Sequence, residues 1–142
     1  MIGGTRFVGR AFVEQAVRCG HDVTVFHRSV SEPEGFPALS TCTGIGTASS
    51  ACSGAAAGMR CSTPAPIPMV VREASAVLQD CAGHYTFVST HSVHPDDVPA
   101  GSTEQTPTHQ PPFPQTETVT VETYGPLKVA CEHEAMGAFG NR

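Results

Sequence analysis

Tyr124 and Lys128 are the two residues of this chain whose types and spacing most readily do chemistry. Four positions apart on a helix, they stand on one face. A lysine ammonium beside a phenol favours the phenolate. A phenol tuned down from ~10 can serve as a general acid or base near neutral pH. Upstream, Thr90 follows the short apolar run Tyr85-Thr86-Phe87-Val88-Ser89, which reads as a buried strand. Its hydroxyl leaves the C-terminal end of that strand, where ligands bind in open α/β sheets. There it can bond the substrate oxygen that the phenol serves, with the adjacent Ser89 as the alternative.

A second feature lies at the start of the chain, where Gly3, Gly4 and Gly9 fall at a strand-to-helix handover. Residues 10–19 follow with Ala11, Phe12, Ala16 and Val17 at helical spacing, Gly20 suits a C-cap, and residues 22–26 read as a strand. Glycine turn, helix and strand make the first half of a dinucleotide-binding unit, in which phosphate meets the N–H groups of a helix N-terminus. Cofactor contacts are accordingly assigned to Gly3, Gly4, Thr5, Arg6, Phe7 and Gly9. The spacing departs from G-x-G-x-x-G, with Arg6 where a middle glycine could stand. Arg28 ends the second strand, where an acidic residue would bond a ribose 2′-hydroxyl and an arginine accommodates a 2′-phosphate. With Arg6 it favours NADP over NAD.

The remaining elements must position these groups. Residues 29–39 read as loop, punctuated by Pro33, Gly35 and Pro37. Residues 40–69 are mostly Ser, Thr, Ala, Gly, Cys and Pro, with Arg60 as the one charge. They show neither a period-2 strand nor a helical stripe, and Pro64, Pro66 and Pro68 argue against regular structure. Residues 70–81 read as a helix with Val70, Ala74, Val77, Leu78 and Cys81 on one side, ended by Gly83. Residues 94–120 form a polar, proline-rich loop. The last helix starts near Val121, tolerates Pro126 in its first turn, and carries Leu127, Ala130, Cys131, Ala135 and Met136 as its apolar stripe, with Glu132 and Glu134 facing elsewhere.

The totals bound the function. The 142 residues suffice for one modest domain. A net charge of -5 points away from nucleic acid and anionic membrane surfaces. No run of about 18 apolar residues suggests a spanning helix, and no basic stretch followed by an apolar one suggests secretion. The six cysteines lack a paired rhythm and read as reduced thiols in a cytoplasmic protein. Cys81, His84, His91 and His94 would lie at opposite ends of one strand, so they are not read as a metal site.

In this order the residues resemble the N-terminal half of an NAD(P)-dependent epimerase/dehydratase-like protein, an atypical member of the extended short-chain dehydrogenase/reductase superfamily. Three stretches carry the resemblance: Ile2-Gly3-Gly4-Thr5-Arg6-Phe7-Val8-Gly9-Arg10, Tyr85-Thr86-Phe87-Val88-Ser89-Thr90-His91-Ser92-Val93 and Glu122-Thr123-Tyr124-Gly125-Pro126-Leu127-Lys128. The resemblance implies an α/β fold with an incomplete Rossmann-like parallel sheet and NADP or NAD as cofactor. It implies an oxidoreductase or epimerase/dehydratase acting on a carbonyl, an alcohol or a nucleotide sugar. Tyr124 would be the acid/base, Lys128 would hold cofactor and tyrosine, and Thr90 would orient the substrate oxygen.

The departures from the family are specific. Only Met1 and Ile2 precede Gly3, so the first strand is expected to be truncated. The family has a tyrosine near His94, third and fourth strands before the helix at Val70, and an acidic residue touching adenine. It also continues into a substrate domain, which is expected to be absent here. Residues 42–68, back-translated with GC-rich codons and read one base over, can yield a charged segment of the missing kind. We therefore expect either a frame-shifted segment or a low-complexity insert, which the nucleotide sequence distinguishes. The rival function is a non-catalytic nucleotide-binding protein or inactive fragment, since an open sheet lacking its central strand exposes pairing edges.

Overall fold

The computed structural model describes residues 7–27, 40–43, 59–112 and 116–140, with residues 26, 27 and 40–43 described by backbone alone. Helix α1 (Phe7–Arg18) is followed by strand β1 (Thr24–His27), then β2 (Ser40–Thr43), β3 (Met59–Thr63), helix α2 (Pro68–Leu78), β4 (Ala82–Phe87), a 3-10 turn at His91–Val93, and helix α3 (Val121–Phe139). Among the described residues the strands form two parallel pairs, β1 with β2 and β3 with β4. In the doubly wound order 3-2-1-4-5-6 the first strand lies between the second and the fourth. The truncated first strand expected at residues 1–2 lies outside the described residues. The result is an α/β fold with a small parallel sheet and flanking helices, in keeping with an incomplete Rossmann-like architecture.

Strands β2 and β3 correct the expectation that residues 40–69 are irregular. Their composition is poor in large apolar residues, so the sequence carries little strand signal. The backbone pairing is non-local: Thr24 pairs with Ser40 and Cys61 with Tyr85. Pro68 starts α2 at a position where a missing N–H costs nothing. Gly83 does not end that helix. The pairs Met59–Ala82 and Arg60–His84 leave it without a counterpart, which makes it the extra residue of a bulge in β4.

The core gathers around β3, β4, α2 and α3. Val71, Ala74 and Leu78 from α2 pack with Cys61, Ala82 and Tyr85 from the strands and with Cys131, Ala135 and Phe139 from α3. The Tyr85 and Phe139 rings stack with centroids 4.0 Å apart. Arg72 and Glu134 join the two helices by an ion pair at 2.6 Å. The buried side of α2 is thus Val71, Ala74, Ser75 and Leu78, one position round from the expected stripe.

Two other stripes are corrected. On α1 the buried residues are Gly9 and Val13, while Phe12 is 50% exposed. On α3 Met136 is 64% exposed, and Leu127, Val129, Cys131, Ala135 and Phe139 are buried on several sides. A helix packed on more than one side shows no single stripe. Pro126 is the sixth residue of α3, beyond the first turn, and its ring nitrogen cannot donate to the Glu122 carbonyl. The cysteines are not all reduced thiols: Cys81 is disulfide-bonded, while Cys19, Cys61 and Cys131 are free. Disulfides depend on Cα atoms a few ångströms apart in space, which spacing along the chain does not reveal. No helix among the described residues is long and apolar enough to cross a membrane.

Candidate functional site

The start of α3 is fixed by a capping box. The Thr120 hydroxyl accepts from the Thr123 N–H at 3.2 Å, and the Thr120 N–H donates to the Thr123 hydroxyl at 2.8 Å. This sets the first turn, and Tyr124 is its fourth residue, half-buried. Gly125 comes next. A Cβ on it would lie 2.0 Å from the Ser92 carbonyl oxygen, so only glycine lets the 3-10 turn touch α3 backbone to backbone.

Lys128, one turn on, is 1% exposed. Its ammonium donates to the Val88 carbonyl at 2.6 Å and lies 4.0 Å from the centroid of the Phe87 ring, a cation–π contact. Burial strips water from the ammonium and lowers its pKa, while the nearby Cys131 and Glu132 oppose that shift. The Val88 N–H in turn donates to the Thr63 carbonyl at 3.0 Å, extending the β3–β4 ladder by one residue. Val88 is therefore held from both sides at the end of β4.

The next residues fan out from that point. The Ser89 hydroxyl donates to the Glu132 carboxylate on α3. Thr90 begins the 3-10 turn, its hydroxyl oxygen accepting from the Ser92 N–H at 3.3 Å. The Val93 carbonyl accepts from the His109 N–H at 2.8 Å, and His94 Nδ1 lies 3.2 Å from the Pro107 carbonyl. The loop after the turn is thus folded back on it. An open groove of about 420 Å³, lined by His91, His94, Val98, Ser102, Thr103 and Glu104, runs beside the turn.

Of the residues expected from sequence to act, Thr90, Tyr124 and Lys128 are described. Lys128 and the segment leading to Thr90 meet at the end of β4, and Tyr124 precedes the glycine that receives the turn. The expected Lys128 partner was a phenol; its hydrogen-bond partner here is the Val88 carbonyl. Phe7 and Gly9 lie in the first turn of α1, Phe7 exposed and Gly9 buried. Gly3, Gly4, Thr5, Arg6 and Arg28 lie outside the described residues. Among those described, no group of three metal-ligating side chains converges. Sequence reasoning missed Gly125 and Glu132. Glu132, expected to face elsewhere, reaches Ser89, and Glu134 pairs with Arg72. The signal for Gly125 was its place beside Tyr124 in a helix that gains nothing from glycine.

The fold is similar to that of the Bordetella bronchiseptica enzyme WbmG, solved in complex with NAD and UDP. The TM-score is 0.67 at 15% sequence identity, over 95% of this chain and 47% of that one. The chain spans about half the length of that solved structure, and at this identity the likeness is one of fold. No family model matches the sequence, and no curated protein does.

Proposed function

We propose that the chain carries the Tyr–Lys portion of an NAD(P)-dependent oxidoreductase or epimerase/dehydratase acting on a carbonyl or alcohol carbon, with nucleotide-linked sugars as the first substrate class to try. The observation that carries this reading is the buried Lys128 ammonium at the end of β4. An unpaired buried cation is costly, and an ammonium has three N–H donors. Among the described residues the Val88 carbonyl is its one hydrogen-bond acceptor. The remaining donors suit the vicinal hydroxyls of a ribose. Residues Gly3, Gly4, Thr5, Arg6, Phe7, Gly9 and Arg28 are the proposed remainder of the cofactor site, with Arg6 and Arg28 favouring NADP.

A bound nicotinamide would supply or take up the hydride. In this reading the chain's own residues bind, orient and move a proton. Tyr124 exchanges a proton with the substrate oxygen, Lys128 holds the ribose, and the Thr90 hydroxyl orients that oxygen. The capping box and Gly125 keep Tyr124 and the turn in register.

The test is a titration with NADPH and NADH followed by nicotinamide fluorescence, then a carbonyl-substrate screen. Saturable binding, tighter for NADPH, supports the reading. Tyr124→Phe should keep binding and lose most of any turnover; equal turnover would reject the acid/base role. Binding without turnover by the unaltered chain would instead favour a nucleotide-binding protein without catalysis.

A further inference from the structure

We propose that Glu132 is a positioning residue of the Tyr124–Lys128 site, pinning the end of β4 to α3 through Ser89 and supplying a counter-charge one helical turn from Lys128. The inference deepens the proposed function and rests on it for the cofactor arm of its test. Two side chains four apart on α3 grip two consecutive residues of the β4 exit. Lys128 takes the Val88 carbonyl at 2.6 Å, and Glu132 takes the Ser89 hydroxyl. Hydrogen bonds to a charged group are about twice as strong as neutral ones. Positions four apart share a helix face, so the carboxylate also acts on the ammonium. The peptide joining Val88 to Ser89 is thereby fixed to the helix that carries Tyr124.

This arrangement distinguishes the two neighbouring hydroxyls. Ser89 donates its proton to Glu132. Thr90 accepts from the Ser92 N–H at 3.3 Å, and its own O–H approaches the Ser92 hydroxyl only at 3.4 Å. Ser89 is therefore a structural hydroxyl, and Thr90 keeps a donor for a substrate oxygen.

The experiment compares Glu132→Ala, Glu132→Gln and Ser89→Ala in the full chain, with urea unfolding to establish that each folds. Glu132→Gln is nearly isosteric, and its amide oxygen still accepts from Ser89. The first readout needs no ligand: the pKa of Lys128 by NMR of labelled lysine side chains. Removing the opposite charge should lower it further in Glu132→Gln. The second is NADPH affinity, expected to fall about tenfold in Glu132→Ala and Ser89→Ala and less in Glu132→Gln. Wild-type affinity in Glu132→Ala and Ser89→Ala, or a Lys128 pKa unmoved in Glu132→Gln, overturns the proposal. If the unaltered chain binds neither nucleotide, the proposed function fails, and the Lys128 titration decides the positioning role by itself.

Discussion

Replacing Gly125 by alanine sets two sizeable effects against each other. In an exposed helix, alanine is favoured over glycine by about 1 kcal/mol. At this position the new Cβ would lie 2.0 Å from the Ser92 carbonyl oxygen and 3.1 Å from the Ser92 carbonyl carbon and the His109 ring. Ordinary contact begins near 3.4 Å, so the 3-10 turn would have to retreat from α3 by about 1.4 Å. The obstacle is backbone and cannot rotate aside. The turn is also held by the Val93–His109 bond at 2.8 Å and by the Thr90 cap. Overpacking of this kind costs about 1–3 kcal/mol, which outweighs the helical gain. Gly137 provides the control on the same helix, because nothing lies within 4 Å of its Cβ position. Urea unfolding followed by circular dichroism should show Gly125→Ala destabilised by about 1–2 kcal/mol net. Gly137→Ala should be stabilised by about 0.5–1 kcal/mol. A Gly125→Ala protein as stable as the unaltered chain would refute the close approach of turn and helix. Because Ser92 is two residues from Thr90, the same substitution should weaken whatever binds at the end of β4.

Three further outcomes follow from the packing of α3. Burial pushes the Cys131 thiol from 9.0 up to about 11; its stabilising effect is complete below 9 and is lost as pH rises toward 11. Unfolding free energy measured from pH 8 to 11 should therefore fall by up to roughly 3 kcal/mol more in the unaltered chain than in Cys131→Ala, and parallel curves would contradict the burial. Thr120→Ala removes half of the capping box and should cost about 1 kcal/mol, whereas Thr120→Ser should cost little; equal stabilities would show that the box contributes nothing. Arg72→Ala breaks an ion pair that is largely solvent-exposed, so a loss above about 1 kcal/mol in urea unfolding would show that the pair is stronger than surface geometry allows.

Several features were legible in the residues because they depend on neighbours along the chain. Helices expected over residues 10–19 and 70–81 and from near Val121 are present as Phe7–Arg18, Pro68–Leu78 and Val121–Phe139, although their buried sides differ from the expected stripes. The strand before Thr90 and the four-residue separation of Tyr124 and Lys128 need only local geometry. Local pattern also conveyed the order of glycine segment, strand, hydroxyl and Tyr-x-x-x-Lys; the similarity to WbmG bears on the α/β fold alone.

What only the tertiary structure decided involves groups far apart in sequence. β2 and β3 form because parallel partners supply their hydrogen bonds, although Ser40–Thr43 and Met59–Thr63 have little apolar pattern of their own. The buried side of α1 is Gly9 and Val13 and not Phe12, since burial depends on what packs against a helix and not on its stripe alone. Cys81 finds a disulfide partner that spacing did not suggest. Lys128 and Glu132 have long side chains whose reach spans several acceptors, and the exit of β4 determines which they take. Periodicity along a chain specifies which residues share a face; the contacts that face makes are set by the approach of distant segments, whose free energies no local pattern contains.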